Sequence, residues 1–223
     1  MIHSMVYKII NSLELNHKEY LDLLVKKLVG DFNPKRVLDV GCGEGELVSM
    51  FQKHGVETYG IDISKQSLLH TRNVVQADAE KIPFKDNTFD LMIAHHSLEH
   101  LKNPEYFIRE CKRVLKANGI VCVVVPVSPF GLTKLWRALK LQTDPTHLNM
   151  YSKTFWVKMF RKEGFRMIGD LQDIVKKDPP SSFWFGVWLI KQGSIGKWLW
   201  LRLVGHIRKS FLFKLDASKG SSK

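Results

Sequence analysis

Short apolar, β-branched stretches alternate along the chain with segments long enough to form a helix. Five such stretches come before position 127 and predict strands over residues 36–40, 56–61, 74–76, 89–94 and 120–125. Strands that alternate with helices are typical of parallel βαβ units and an α/β sheet. The last stretch has no polar alternation, as expected for a strand covered on both faces. We therefore predict a mostly parallel sheet with this strand near its centre.

The pattern loosens after the fifth strand and then predicts three more elements. A helix is expected over 152–162, because Ser152 suits an N-cap and Gly164 suits a stop after the last turn. Strands are expected at 165–174 and 210–215, and an aromatic-rich insertion separates them. These elements extend the α/β pattern to the carboxyl end of the chain.

Composition favours a single domain made of all 223 residues. Hydrophobic residues make up 44% and charged residues 25%, which excludes a disordered or fibrous chain. Residues 1–30 have helical apolar spacing and lack the order of a secretory signal, so they predict a helical cap. The three cysteines are far apart and indicate neither disulfides nor structural zinc, as expected in the cytoplasm.

The insertion over 179–209 carries tryptophans among basic residues. From position 176 onward there are ten basic and two acidic residues, so most of the net charge of +12 lies there. Three interpretations stay open: core packing, a lid over an acceptor pocket, and a peripheral contact of residues 179–215 with an anionic membrane. Its longest uncharged run, 179–190, is too short to span a bilayer.

A glycine turn follows the first predicted strand. Gly41, Gly43 and Gly45 let the backbone bend sharply and let a ligand approach it closely. Position 46 is glutamate, so the dinucleotide fingerprint GxGxxG is not met. Glu44 and Glu46 also disfavour a pyrophosphate, which needs backbone N–H groups and the positive end of a helix. A ligand that bears a cation or a zwitterion fits better.

Two aspartates follow the next two predicted strands. Asp62 ends the second strand, where a carboxylate can accept hydrogen bonds from both ribose hydroxyls of a nucleoside. Asp78 ends the third strand, where it is placed to meet an adenine amino group. Because ligands of open α/β sheets bind outside the carboxyl ends of the strands, the three loops predict one adenosine-shaped site.

These segments resemble the class I S-adenosylmethionine-dependent methyltransferases. The likeness runs in order from Val37 to Pro126 and is closest to the branch that includes ubiquinone and menaquinone biosynthesis enzymes and many small-molecule methyltransferases. The segments similar to the family's successive motifs are residues 37–45, 59–64, 78–84, 87–90, 97–101 and 113–119, followed more weakly by 144–147 and Tyr151.

The resemblance implies a Rossmann-like, seven-stranded, mostly parallel sheet with order 3-2-1-4-5-7-6. Helices would cover both faces, and the insertion would lie between strands 6 and 7. The implied cofactor is S-adenosylmethionine. By position, Asp39 and the glycine turn would hold its methionine part, Asp62 the ribose, and Asp78 with Ala79 the adenine, with His95 near the methionine end. The cofactor-binding residues implied are thus Asp39, Gly41, Gly43, Gly45, Asp62, Ile63, Asp78, Ala79 and His95.

Methyl transfer to an alcohol or phenol also requires removal of a proton, and a histidine suits that task near neutral pH. His147 and His96 are the candidate bases, because both fall in loops at the expected mouth of the site, and Tyr151 is a candidate polar positioner. His100 ranks lower, since it suits capping or packing of the next helix. His95 and His96 are adjacent but lack a third ligand at fixed spacing, so no metal site is predicted.

We therefore expect a methyltransferase that acts on a small, lipophilic or lipid-linked acceptor, with oxygen as the favoured acceptor atom. Two other classes stay open. The net charge of +12 would suit an RNA methyltransferase, although nucleic acid is not the expected partner because no basic, aromatic groove is evident outside the insertion. A cofactor-binding interaction module without catalysis would have its acceptor space filled. The sequence leaves the oligomeric state open.

Overall fold

The computed structural model describes residues 17–65, 73–127, 146–170 and 208–216. Most of the aromatic insertion expected over 179–209 lies outside these ranges, as do residues 171–174 of the strand expected at 165–174. Within the described ranges, no helix combines the length and the apolar character needed to cross a bilayer.

The elements closely follow the predicted alternation of strands and helices. The helices are α1 (His17–Phe32), α2 (Glu46–Lys53), α3 (Pro104–Val114) and α4 (Lys153–Lys162), with a short 3-10 turn at Leu98–His100. The strands are β1 (Arg36–Val40), β2 (Glu57–Asp62), β3 (Val74–Gln76), β4 (Phe89–His95), β5 (Leu115–Pro126), β6 (Phe165–Asp170) and β7 (Arg208–Leu215).

The strands form a single seven-stranded sheet of order β3-β2-β1-β4-β5-β7-β6, which confirms the expected fold. Strands β1 to β5 pair in parallel. Only β7 among the described strands runs antiparallel, between β5 and β6. The order reverses at β1, so the carboxyl ends of β1 and β4 border the crevice where open α/β sheets bind ligands.

Helices cover both faces of the sheet. Val37 and Leu38 are consecutive in β1 and are both fully buried, yet they belong to different core clusters. Helix α1 covers one face with a row of buried residues at helical spacing: Leu21, Leu24, Val25 and Leu28. Helices α3 and α4 cover the other face, where Trp156 is fully buried. Helix α1, the described part of the predicted cap, therefore belongs to the core.

Arg113 fixes the loop that leads from β3 to β4. Its Nη1 donates to the Phe84 carbonyl at 2.7 Å, and its Nη2 donates to the Ile82 carbonyl at 2.8 Å. Its Nε and Nη2 both donate to the Glu110 carboxylate, at 2.8 and 2.7 Å. These hydrogen bonds with Glu110 raise the pKa of Arg113 further above its ordinary value. The side chain thereby ties α3 to the loop that carries the predicted adenine-binding residues.

We expect Arg113→Met to lower the free energy of unfolding by about 2 kcal/mol, because it removes the guanidinium that donates to two loop carbonyls and to Glu110. Arg109→Met is the matched control on the same helix. Arg109 makes an exposed ion pair with Glu163 at 3.3 Å, so its loss is expected to cost under about 1 kcal/mol. Urea denaturation measures both, and equal losses would contradict this role for Arg113.

Candidate active site

The turn between β1 and α2 requires its glycines. Gly41, Gly43 and Gly45 have φ values of 74°, 50° and 79°, in the left-handed region that side chains disfavour. At Gly41 there is a second constraint, because an added Cβ would lie 2.5 Å from the Cβ of Ser97. The segment that follows β4 therefore packs directly against the turn. The backbone of the turn stays bare, as the sequence predicts.

Asp62 ties this turn to the end of β2. Its Oδ2 accepts a hydrogen bond from the Gly43 N–H at 2.9 Å, and its Oδ1 accepts one from the Ser64 N–H at 2.8 Å. The Gly41 N–H donates to the neighbouring Ile61 carbonyl at 2.8 Å. A carboxylate has about four acceptor positions, so two remain for the hydroxyls of a ribose. The carboxylate that the sequence assigns to the ribose is thus held rigidly.

Asp39 is buried under the turn, with 2% of its surface exposed. Burial raises the pKa of its carboxyl to about 7, and the charge of Asp62 contributes in the same direction. A cation close to this carboxyl would stabilise its ionised form. The environment of Asp39 therefore fits the zwitterionic or cationic ligand that the two glutamates of the turn indicate.

A cavity of about 230 Å³ opens between the turn, the end of β4 and α1. Its wall consists of His17, Leu21, Asp39, Gly41, Cys42, Glu44, Glu46, Leu47 and His95. The cavity thus brings together three of the predicted cofactor residues: Asp39, Gly41 and His95. The sequence did not predict that His17 and Leu21 line this cavity. Apolar periodicity identifies α1 as a helix but does not show which site the helix covers.

The predicted ribose and adenine residues lie outside the wall of this cavity. Ala77 donates its N–H to the Asp62 carbonyl at 2.9 Å, which holds the residues after β3 beside the end of β2. Asp78 is exposed, and its Oδ1 accepts from the Glu80 N–H at 2.8 Å. Ile63 exposes 70% of its surface, and such an open apolar side chain suits the face of a nucleobase. Ala79 is half-buried.

His96 and Glu99 form a pair just beyond β4. His96 has a φ of 54°, and its ring lies 4.7 Å from that of His95. Its Nδ1 is 3.0 Å from Oε1 of Glu99, a side chain with no exposed surface. The His96 Nε2 and the Glu99 Oε2 are also buried, and neither has a hydrogen-bond partner in the part of the chain that the structure describes. Sequence reasoning missed Glu99, although its spacing of three residues from His96 was a usable signal.

The segment that carries His147 docks on the 3-10 turn after β4. The N–H groups of Leu148 and Asn149 donate to the Glu99 carbonyl at 2.6 and 3.0 Å. The Asn149 side chain is buried and donates to the Leu98 carbonyl at 3.1 Å. This docking brings the His147 ring to 4.9 Å from the ring of His100.

Tyr151 takes a different position from the two histidines. Its ring lies 4.2 Å from that of Phe155 and 5.3 Å from that of Trp156, at the edge of the core under α4. The ring contacts of Tyr151 in the described structure are therefore with two aromatic residues of α4, the exposed Phe155 and the buried Trp156, whereas those of His147 are with His100.

The strand order of the sheet and the glycine turn after β1 are typical of the class I S-adenosylmethionine-dependent methyltransferases. A family model described as a methyltransferase domain matches residues 13–169, which is more than half of the chain. The chain therefore belongs to this methyltransferase domain family.

Similar proteins include two with named reactions. One is the rice 2-methyl-6-phytyl-1,4-hydroquinone methyltransferase 1, which is 29% identical over 59% of this chain and 41% of its own length. Another is the ubiquinone biosynthesis O-methyltransferase of Vibrio cholerae, which is 33% identical over 62% of this chain and 60% of its own. The match thus spans less than two thirds of the length of each relative.

A solved structure supports the fold. The YcgJ protein from Bacillus subtilis superposes with a TM-score of 0.64, covers 90% of this chain and 99% of its own, and is 21% identical. At that identity the likeness concerns the fold alone.

Proposed function

We propose that this protein transfers a methyl group from S-adenosylmethionine to a small, lipophilic acceptor, with oxygen as the acceptor atom. The observation that carries the proposal is the pairing of the buried Asp39 carboxyl with a bare glycine turn that Asp62 anchors. This arrangement provides negative charge for a cationic amino acid portion and fixed acceptors for a ribose.

Each part of the cofactor has residues that would hold it. Asp39 and the glycine turn suit the methionine portion, Asp62 suits the ribose, and Asp78 and Ala79 suit the adenine, with the exposed Ile63 against the face of the base. The bound cofactor supplies an already activated sulfonium methyl group. The protein then has to orient the acceptor in line with that methyl group, at roughly 3 Å. His95 lines the cavity at the end where this alignment would occur.

The acceptor proton needs a group that can take it. Glu99 accepts from Nδ1 of His96 when that nitrogen carries the proton, which leaves the lone pair on Nε2. A buried Nε2 with this lone pair suits a general base for a hydroxyl acceptor. His147 is the second candidate base. This availability of an imidazole is the support for oxygen as the acceptor atom.

The lipophilic nature of the acceptor has two supports. The names of the two relatives refer to a phytyl hydroquinone and to ubiquinone biosynthesis. The sequence over 179–215 combines aromatic and basic residues, as does a segment that meets an anionic membrane surface. Sedimentation with anionic vesicles at low salt tests the membrane contact.

The three cysteines are free and buried, which fits the cytoplasmic location expected from the sequence.

The test of the proposed function uses the full chain and S-adenosylmethionine with a labelled methyl group. The acceptor panel contains a phenol, a prenylated hydroquinone, a primary amine and total RNA. We expect label in the hydroquinone or the phenol. Label in RNA instead would support an RNA methyltransferase. Tight cofactor binding with no labelled acceptor would support a binding module without catalysis.

We expect His96→Ala to lower kcat by about 100-fold while cofactor affinity is unchanged, because the variant lacks the proposed base. His147→Ala is measured in parallel, and His54→Ala, an exposed histidine at the end of α2, is the control. Single-turnover kinetics at saturating cofactor gives the rate. Near-wild-type rates for both His96→Ala and His147→Ala would contradict the general base and mean that the protein acts only by positioning the acceptor.

A further inference from the structure

One cluster of potential metal ligands lies next to the proposed site, in the part of the chain that the structure covers. Glu99, His100 and His147 each offer one ligand atom, and these atoms lie within 4.8 Å of one another. We propose that these three side chains bind a divalent transition-metal ion, with zinc as the best match to the donors. Binding of the ion is independent of the proposed function, whereas its use in methyl transfer rests on it.

The donor set matches a recognised type of open site. Two imidazoles and one carboxylate hold zinc in hydrolytic enzymes and iron in some oxygenases, and both types leave positions free for a substrate. Ligand atoms around a tetrahedral ion with bonds of about 2.1 Å lie roughly 3.4 Å apart. The ligand atoms of the three side chains all lie within 4.8 Å of one another, which is compatible with such a site after side-chain adjustment.

The surroundings of His100 suit the tautomer that a metal ligand requires. Its Nδ1 lies 3.2 Å from the Thr146 carbonyl and 3.0 Å from the Thr146 hydroxyl. A proton on Nδ1 is donated to this carbonyl, and in that tautomer the lone pair on Nε2 is available to an ion. Metal-binding histidines commonly have such a backbone partner on the ring nitrogen that does not bind the ion.

Glu99 supplies the second, independent observation. The side chain has no exposed surface, and Oε1 faces Nδ1 of His96 while Oε2 has no hydrogen-bond partner among the described residues. Unpaired carboxylate oxygens are costly in a protein interior. A cation at Oε2 would satisfy this atom, and Oε1 would keep its contact with His96. One carboxylate can therefore bind the ion and orient the imidazole at the same time.

The backbone holds the two ligand segments together before any ion binds. The carbonyl of Glu99 accepts from the N–H groups of Leu148 and Asn149, and the buried Asn149 amide contacts the 3-10 turn. His147 is therefore fixed beside His100, although the two are far apart in the chain. The site needs movement of side chains only.

The position of the cluster suggests how the ion would be used. Glu99 contacts His96, and the His96 ring lies 4.7 Å from that of His95, which lines the cavity. An ion with an open position would bind an acceptor oxygen and favour loss of its proton. His147 would then serve as a ligand, and His96 would remain as the base.

The test is direct titration of the full, metal-free chain with Zn²⁺ by calorimetry and with Co²⁺ by visible absorption. We expect one equivalent to bind, with Co²⁺ bands typical of a site with four or five ligands. Affinity should fall by about 100-fold or more in His100→Ala and in Glu99→Gln, since each loses a ligand. His54→Ala should bind like the wild type. Unchanged affinity for S-adenosylmethionine in each variant verifies folding.

The proposal is overturned if neither ion binds saturably, or if His100→Ala and Glu99→Gln bind as tightly as the wild type. Should Glu99→Gln fail to fold, the exposed His100→Ala decides the matter alone. Binding of the metal by a chain that does not bind S-adenosylmethionine would contradict the proposed function and leave the metal site standing. A chain that binds S-adenosylmethionine but does not bind the metal would contradict the metal site and leave the proposed function standing.

Discussion

Replacement of Asp62 by alanine is expected to weaken the binding of S-adenosylmethionine by about 100-fold or more. The variant loses the carboxylate that we propose as the acceptor for both ribose hydroxyls, and each hydrogen bond to a charged group contributes roughly 1.5–3 kcal/mol. It also loses the bond of 2.9 Å to the Gly43 N–H, which holds the glycine turn in place. Isothermal calorimetry with S-adenosylmethionine and S-adenosylhomocysteine measures the loss, which should be similar for the two ligands because they share the ribose.

Asp90 offers a matched control for this experiment. Its Oδ2 also accepts from two backbone N–H groups, those of Lys35 and Arg36 at 3.1 and 2.8 Å, but at the amino end of β1. Asp90→Ala should therefore lower stability and leave cofactor affinity unchanged. If Asp62→Ala binds within threefold of the wild type, or if Asp90→Ala loses as much affinity, the assignment of Asp62 to the ribose is wrong.

Patterns of neighbouring residues correctly predicted the strand bounds and helix caps that neighbouring residues determine. Strands β1 and β3 have the predicted bounds, and the predicted cap of α4 is confirmed because the Ser152 hydroxyl accepts from the Phe155 N–H at 3.3 Å. Strand β5 begins at Leu115, five residues earlier than predicted. The polar Lys116 and Asn118 interrupt its apolar pattern, and the buried Leu115 pairs with Phe89 next to an irregularity in the register. Pairing of this kind depends on the neighbouring strand, so periodicity cannot reveal it.

The same division holds for the candidate site. Gly41, Asp39 and Asp62 were predictable because each stands at the end of a strand, where chain direction alone brings the side chains to one edge of the sheet. The strand order itself came from the family resemblance. Glu99 with His100 and His147 could not be assembled in this way. Their proximity depends on the docking of Asn149 into the turn after β4, a contact between segments far apart in the chain.

The second large effect concerns the pH dependence of cofactor binding. Burial and the charge of Asp62 raise the pKa of Asp39 to about 7 in the free protein. The ammonium group of the cofactor's methionine portion favours the ionised form of Asp39, so binding below pH 7 must first release this proton. We expect the affinity for S-adenosylmethionine to rise with pH up to about 7 and then level off, by roughly 10- to 30-fold between pH 5.5 and 7.5. Calorimetry in buffers of different ionisation enthalpy measures both the affinity and the released proton.

The same raised pKa has the opposite consequence for the stability of the free protein. The folded chain retains the Asp39 proton between about pH 4 and 7, where an unfolded chain has lost it, so this group lowers the free energy of unfolding as pH rises through that range. Asp39→Asn should remove this slope and stabilise the free protein at pH 7.5 by about 2–4 kcal/mol, while it weakens cofactor binding. Methylthioadenosine, which lacks the ammonium and the sulfonium charge, is the matched ligand and should bind with little pH dependence. An equal pH dependence for both ligands, or its persistence in Asp39→Asn, would show that another group controls binding.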